Sequence, residues 1–183
     1  MLEEKSTRNL AIGAAAGLTV GLAANAVRKI FVQAPTFAAG EWDEALAAEH
    51  RMTLKLFDAI EATEDSHKVR RAMLLTEIAH ALAKHAMEEE NAIYPALRVH
   101  NQVAEADHLN NDHGYVKQYL FELGKMEADH PQFLPKIRDF RSTLEEHMRE
   151  EEDKIFPKLR GLLSADESAK LTKAMNVEGL KIA

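Results

Sequence analysis

The stretch His85–Arg98 reads HAMEEENAIYPALR, and a second stretch, His147–Arg160, reads HMREEEDKIFPKLR. Counting from each His, both have Glu at +4, Ile at +8, an aromatic residue at +9, Pro at +10, Leu at +12 and Arg at +13. Positions i and i+4 lie on one face of a helix, about a turn apart. Each stretch therefore directs an imidazole and a carboxylate toward one point. Two such units facing each other would form a metal site with nitrogen and oxygen ligands.

Long amphipathic helices are predicted around these stretches, because apolar residues recur three and four positions apart. The predicted helices lie at about 42–62, 66–95, 103–126 and 129–157. Ser66 is the expected N-cap of the second helix, and Pro95 and Pro157 should break or kink the second and the fourth. The short connections within the first and the last pair predict antiparallel neighbours. We therefore expect an all-α, up-down-up-down antiparallel four-helix bundle.

The helices form two similar halves, each with one His on its first helix and one His-x-x-x-Glu on its second. Six of these residues occupy positions where the helical spacing calls for an apolar side chain: His50, His85, Glu89, His113, His147 and Glu151. A buried, unpaired carboxylate costs several kcal/mol or takes up a proton. A cation would compensate such a set, so we predict that all six are metal ligands.

The remaining His, Glu and aromatic residues are assigned ordinary roles. The glutamates beside the ligands are predicted to be solvated or to lie behind the ligands: Glu88, Glu90, Glu150 and Glu152. The other histidines are expected at the surface or pointing away from the ligand face: His67, His80, His100, His108 and His130. Tyr94 and Phe156 each precede a Pro and are expected to pack at the helix breaks.

Four imidazoles and two carboxylates from four helices suit a cluster of two metal ions. His50 and His85 would bind one ion, His113 and His147 the other, and the two glutamates would bridge them. A solvent oxygen, oxo or hydroxo, would complete the bridge and leave an open position. This ligand set fits two non-haem iron ions (Fe2+/Fe3+), with zinc and manganese as alternatives. It has fewer carboxylates than ferritin-like di-iron bundles, which favours reversible O2 handling or redox sensing over O2 activation.

The composition limits the class of function. The chain has 183 residues, 46% of them hydrophobic, 29% charged and 6% aromatic, which is typical of a helix-rich domain. Its net charge of −7, without a Lys/Arg stripe, argues against a nucleic-acid partner. The absence of Cys excludes disulfides, thiolate metal sites and Cys nucleophiles. No phosphate loop or nucleophile elbow indicates a kinase or a hydrolase.

The N-terminal region has a different pattern. The run Leu10–Val27 has no charge, and Gly13, Gly17 and Gly21 recur at every fourth position, which predicts a Gly-zipper helix. Three roles fit it: packing on a partner or on the domain, membrane association, or a cleaved signal. Residues 33–40 are predicted to be a linker.

Three regions are therefore predicted along the chain. Residues 1–40 form the apolar Gly-zipper helix and linker, and residues 41–162 form the bundle. Residues 163–183 form a short C-terminal helix and tail, which the capping-box pattern Ser164–Glu167 opens and which ends at about Met175.

The ligand pattern resembles that of the hemerythrin-like family, whose members have HHE cation-binding domains. The resemblance spans about 42–160 and rests on His50, His85-x-x-x-Glu89 before Ile93-Tyr94-Pro95, His113, and His147-x-x-x-Glu151 before Ile155-Phe156-Pro157. It implies a four-helix bundle holding a di-iron centre that binds O2, with relatives assigned to O2 or iron sensing, NO response or peroxide chemistry. Invertebrate hemerythrins have a further His one turn from the His on the third helix. Leu109 and Lys117 stand at those positions here, which leaves a more symmetric site.

Three functional hypotheses follow from these patterns. The first is a cytoplasmic non-haem di-iron protein that binds or senses O2 or a related small oxidant. The second is a di-iron enzyme acting on peroxide, O2 or NO, with Glu88, Glu150 or Tyr115 as proton donor. The third is an oligomeric or membrane-associated metal-binding module, in which residues 10–27 contact a second copy or a membrane. The expected partner is a small diatomic or peroxide ligand and not a nucleic acid.

Overall fold

The computed structural model describes residues 25, 27–30 and 32–183. The predicted Gly-zipper helix lies almost entirely outside these described residues. Within them, all regular secondary structure is helical and no strand is present. Of the helices formed by this part of the chain, none combines the length and the apolar character that crossing a bilayer requires. The division of the chain into three regions stays a prediction.

The helices follow one another with short connections. Residues 27–30 and 32–39 are helical and are called α1. The others are α2 (Trp42–Glu61), α3 (Lys68–Glu88), π1 (Glu89–Ile93), α4 (Tyr94–Val99), α5 (Val103–Lys125), α6 (Phe133–Glu150), π2 (Glu151–Ile155), α7 (Phe156–Leu162) and α8 (Ala165–Ile182).

Helices α2, α3, α5 and α6 form a helical bundle. Helix α2 contacts α3 and α6, and α5 contacts α6 and α3, so the four helices surround one interior. Two apolar clusters fill it, one around Trp42 and Phe156 and the other around Phe57 and Phe140. Along each of these helices the predicted ligands lie between residues of one cluster and residues of the other. The apolar packing on both sides therefore fixes the depth at which the ligands meet.

Of the predicted break or kink at Pro95 and Pro157, the break is wrong, because a π-helical turn precedes each Pro and the chain stays helical. The Tyr94 N–H donates to the Glu89 carbonyl, five residues back, and the Phe156 N–H donates to the Glu151 carbonyl in the same way. A π turn holds one extra residue and so opens the hydrogen-bond ladder. It does so where Pro has no N–H to donate and would collide with a carbonyl in a regular α-helix. Helical hydrogen bonding therefore continues past both prolines.

Two helix ends also differ from the predictions. Helix α3 begins at Lys68 with His67, not Ser66, as its N-cap residue. The Glu64 N–H donates to His67 Nδ1 at 3.1 Å, so this imidazole orders the preceding turn. Helix α8 extends past Met175 to Ile182 and is longer than predicted, because its inner face continues and contacts α3 and π1.

The predicted linker at 33–40 is also corrected, since residues 32–39 are helical. Gln33 is fully buried and donates from Nε2 to Glu88 Oε1 at 2.9 Å and to Asn176 Oδ1 at 3.1 Å. These contacts with α3 and α8 hold the segment in place across Pro35. The helix ends at Gly40, whose φ of 115° lies in the region that favours glycine.

Candidate metal centre

The six predicted ligands converge in the middle of the bundle, and none is more than 5% exposed. In one half, His50 Nε2 lies 2.9 Å from His85 Nε2. Glu89 Oε2 lies 3.3 Å from His85 Nε2 and also 3.3 Å from His113 Nε2. Glu151 lies 3.4 Å from both His50 Nε2 and His147 Nε2. Each carboxylate thus faces one imidazole of each half, as the predicted bridging arrangement requires.

The six side chains form two overlapping groups of four that share both glutamates. These groups are His50, His85, Glu89 and Glu151, and Glu89, His113, His147 and Glu151. The predicted pairing of His50 with His85, and of His113 with His147, is therefore the pairing that the structure shows. Whether they bind metal as ligands stays a prediction.

Each imidazole has a second carboxylate at its other ring nitrogen. The Nδ1-to-oxygen distances are 2.7 Å for His50 with Glu152, 3.2 Å for His85 with Glu49, 2.9 Å for His113 with Glu90 and 3.4 Å for His147 with Asp112. An Nδ1–H that donates to a carboxylate leaves Nε2 with a free lone pair. All four Nε2 atoms therefore face the centre, where a metal ion would displace any proton on them. Carboxylates at Nδ1 orient metal-binding histidines and raise their basicity.

The residues present fit a bound cation. His50 Nε2 and His85 Nε2, 2.9 Å apart, require either a shared proton or a cation between them. Three further buried atoms have no hydrogen-bond partner, namely Glu89 Oε1, Glu151 Oε2 and His147 Nε2. Each such atom costs about 1–3 kcal/mol. Ligands at right angles, about 2.1 Å from an ion, lie about 3 Å apart, close to the separations found here. A metal ion in each half would remove these costs.

The electrostatics of the centre also favour a cation. Burial raises the pKa of Glu89, but the charges and hydrogen bonds of His85 and His113 outweigh it and hold that pKa well below 4.5. Burial lowers the pKa of His85, whereas the charge of Glu89 and the hydrogen bond to Glu49 raise it well above 6.5. For His50 the same opposition, with Glu151 and Glu152 as partners, gives a raised pKa. The carboxylates therefore hold negative charge and draw positive charge into the interior.

Tyr94 is part of the centre, contrary to the prediction that it only packs at a helix break. Its hydroxyl lies 3.0 Å from His113 Nε2 and 3.2 Å from both Glu89 Oε2 and Glu151 Oε1. Burial and the two glutamate charges raise the pKa of Tyr94 well above 10, so the hydroxyl keeps its proton. Phe156, at the equivalent position, stacks on His50 at 6.2 Å between ring centroids, as packing predicts. The sequence pattern does not distinguish the roles of Tyr94 and Phe156, because both are aromatic residues at position +9.

An apolar cavity of about 110 Å³ adjoins the four imidazoles. Its walls combine the His side chains with aliphatic residues of three helices: Leu82, Val116, Leu120, Leu144 and Met148. Lys117 lies on its lining as well, and its ammonium is held by Glu90 at 2.9 Å. The cavity is large enough for a molecule of a few atoms and offers little to a charged substrate.

Comparison with known proteins agrees with this geometry. The family model of the Hemerythrin HHE cation binding domain matches residues 43–159, more than half of the chain. This chain belongs to the hemerythrin HHE family. It is 27% identical over 130 residues to a Schizosaccharomyces pombe protein named an uncharacterized hemerythrin-like protein, a match covering 68% of this chain and 62% of that protein. It is 22% identical over 125 residues to a Nostoc protein named DNA nickase, covering 68% and 35%.

The chain thus matches less than two thirds of the length of each of these relatives. No solved structure matches it. Membership of the HHE family implies binding of a metal cation, and the buried His/Glu groups fit such an ion.

Two carboxylates of this HHE domain were missed by sequence reasoning. Glu49 and Asp112 hold the Nδ1 atoms of His85 and His147. A signal for them exists, because an acidic residue directly precedes the His on the first helix of each half, as Glu49-His50 and Asp112-His113. Glu90 and Glu152, which were expected to be solvated or behind the ligands, do lie behind them.

Glu88 was predicted to be solvated or to lie behind the ligands, and the solvated alternative is wrong because Glu88 is fully buried. Lys84 Nζ lies 2.9 Å from Glu88 and 2.5 Å from Glu49. Gln33 and Thr36 of α1 and Gly179 of α8 adjoin this group. Burial and the charge of Glu49 raise the pKa of Glu88 to about 8. Burial opposes the lowering of the Glu49 pKa, but His85 and Lys84 outweigh it. Tyr115, another suggested proton donor, is 60% exposed and does not reach the centre.

Proposed function

We propose that this HHE domain binds two iron ions and uses them to bind or sense O2 or a related small oxidant. His50, His85, His113 and His147 would hold the ions through Nε2, and Glu89 and Glu151 would bridge them. When bound, the iron pair would supply the electrons that pass to a small oxidant. Zinc and manganese are the alternatives that metal analysis must exclude.

The observation that carries this proposal is the apolar cavity of about 110 Å³ against the four imidazoles. Aliphatic walls favour a small uncharged molecule, because a charged one would lose its hydration there without compensation. The protein's own residues contribute orientation and exclusion of water. Carboxylates at Nδ1 fix the four rings, and Leu82, Leu144 and Met148 keep solvent away from the Nε2 side.

The test is to load metal-free protein with Fe(II) without air, measure iron per chain, and record the visible spectrum before and after air. We expect a pair of iron ions per chain and a new visible absorption. His113→Ala should lower the iron content, whereas His80→Ala, at an exposed position on α3, should not. A single bound zinc, or a spectrum unchanged by air, would contradict the proposal.

The role of the cavity is tested separately by Ala86→Leu, because Ala86 lines the cavity without being a ligand. A larger side chain should fill part of the space and slow the response to air by about 10-fold, with unchanged iron content. An equally fast response would show that the oxidant reaches the centre by another route.

A second candidate function is turnover of peroxide, O2 or NO, and Tyr94 is the observation that favours it. Its protonated hydroxyl lies within 3.2 Å of three of the predicted ligands and can donate a proton to a reacting molecule. Removing a positioned proton donor typically lowers a rate by about 100-fold or more. We expect Tyr94→Phe to lower turnover at unchanged iron content, with Tyr119→Phe as the control. If iron-loaded protein consumes none of these substrates, the second candidate function is wrong and O2 binding or sensing is the function that remains.

The up-down-up-down order of the bundle is also proposed. Helices α2 and α5 run from the cluster around Trp42 to the cluster around Phe57, and α3 and α6 run the other way. This alternation supports the predicted topology. The third hypothesis, oligomer or membrane contact through residues 10–27, lies outside the described residues. Deleting residues 1–24 and measuring oligomeric state and vesicle binding would test it without removing Arg28 or Gln33, which contact the domain.

A further inference from the structure

A second polar group lies on the outer side of the centre, formed by His108, Asp112 and Glu150. His108 and Asp112 lie one turn apart on α5, and Glu150 is the last residue of α6. Their side chains are 55%, 25% and 30% exposed. His108 Nε2 lies 3.2 Å from Glu150 Oε2 and 3.8 Å from Asp112 Oδ2. These separations approach the 3.0–3.5 Å or so expected between neighbouring ligands of one transition-metal ion.

The charged residues around this carboxylate pair differ between the two halves of the domain. In the first half, the corresponding carboxylates Glu49 and Glu88 face each other, and the Lys84 ammonium neutralises them from within 3 Å. The residue equivalent to Lys84, directly before the second-helix His, is Glu146 in the second half. Among the described residues, the one ammonium within 4.0 Å of either carboxylate is that of Lys154, 4.0 Å from Glu150. The second half therefore has the carboxylate pair without the internal cation, and it adds an imidazole.

The outer group also adjoins the centre. Asp112 precedes His113, and Glu150 precedes Glu151 in the chain. Asp112 Oδ2 lies 3.4 Å from His147 Nδ1, so one carboxylate faces both the outer group and a predicted ligand of the centre. The outer group therefore contacts the centre through Asp112 and His147.

We propose that His108, Asp112 and Glu150 bind a third divalent first-row cation, such as Fe2+ or Mn2+, and deliver Fe2+ to the centre. One imidazole and two carboxylates suit such ions, with water at the remaining positions. The exposure of this group to solvent allows a bound cation to exchange rapidly, as delivery to the centre requires. The delivery role rests on the proposed function, whereas binding at the outer group does not.

Binding is tested on iron-loaded protein by titrating Mn2+ and counting free Mn2+ by electron paramagnetic resonance. We expect one further Mn2+ per chain, and an affinity at least about 10-fold lower in His108→Ala and Glu150→Gln. Glu146→Lys should also abolish binding, because its ammonium would take the position that Lys84 takes in the other half. Glu146→Gln is the matched control and should bind Mn2+ normally. Binding that none of the first three variants changes would overturn the site.

Delivery is tested by the rate of Fe(II) uptake into metal-free protein at limiting iron. His108→Ala and Glu146→Lys should slow uptake about 10-fold while the final iron content stays that of the parent chain. If these variants lose Mn2+ binding but take up Fe(II) as fast as the parent chain, the delivery role is wrong and only the outer cation site remains. Loss of the response to air with Mn2+ binding intact would contradict the proposed function alone.

Discussion

At the scale of single residues, the centre depends on which nitrogen of each imidazole faces inward. All four Nδ1 atoms lie within 3.4 Å of a carboxylate oxygen, and two of these contacts cross between the halves of the chain. Glu152 of the second half holds His50, and Glu90 of the first half holds His113. The orientation of the four imidazoles is therefore set by residues that are not themselves predicted ligands.

Glu152→Gln tests this dependence. An amide accepts a weaker hydrogen bond from His50 Nδ1 than the carboxylate at 2.7 Å does, so His50 becomes a poorer donor. We expect the affinity for Fe2+ or Co2+ to fall by about 10- to 100-fold in competition with a chelator. Asp153→Asn, at the exposed next position, removes the same charge and should leave the affinity unchanged. Equal effects of both variants would point to net charge instead.

At the scale of helices, the two π turns decide how each ligand pair meets the aromatic residue that follows. Glu89 begins π1 and Tyr94 begins α4, so the extra residue of the π turn rotates Tyr94 relative to a continuous α-helix. As a result the Tyr94 hydroxyl points into the centre. The turn thus accommodates Pro95 and places a functional side chain at the same time.

Arg71, which is fully buried, stabilises the end of the bundle at which α2 connects to α3 and α5 to α6. It donates to Thr63 Oγ1 at 2.8 Å and to the Ala128 carbonyl at 2.6 Å, and so joins the α2–α3 and α5–α6 connections. Arg71→Met would leave these acceptors buried without donors, and we expect it to lower the free energy of unfolding by about 3 kcal/mol in urea. Arg70→Met, at the exposed neighbouring position, should change it by less than about 0.5 kcal/mol.

Helix α8 is fitted to α3 through Gly179. A Cβ there would collide with Glu88 Oε1 and lie 2.8 Å from the Gln33 amide. Glu88 has no free space, since it is fully buried and bonded to Lys84 and Gln33. We expect Gly179→Ala to destabilise the protein by about 1–3 kcal/mol in thermal unfolding. Gly124→Ala, in a helix with open space at Cβ, should stabilise it by up to about 1 kcal/mol.

At the scale of the whole molecule, the bundle encloses four imidazoles and two carboxylates in a core that is otherwise apolar around them. Three of their atoms have no hydrogen-bond partner, and two nitrogens face each other at 2.9 Å. The packing of both apolar clusters offsets the free-energy cost of burying these polar atoms. Metal binding and stability should therefore be linked.

Metal removal tests this link. A cation that binds only the folded state adds about 2.7 kcal/mol at a free concentration 100 times its Kd. For a chain of this size we expect Tm to rise by about 5–10 °C when metal-free protein takes up iron, and to fall back with a chelator. His147→Ala should remove most of the increase, whereas His108→Ala, outside the centre, should keep it. An increase that survives loss of His147 would place the stabilising ion elsewhere.

The amino-acid sequence by itself determined the four helices of the bundle and the six residues that meet in its core. Both follow from the helical repeat, because residues four apart share a face wherever the helix packs. Only the tertiary structure decided what surrounds each of the six. The carboxylate at each Nδ1, the inward hydroxyl of Tyr94 and the burial of Glu88 depend on other helices. A spacing along one helix carries no information about the rotation and distance of its neighbours, which the packing of both apolar clusters sets.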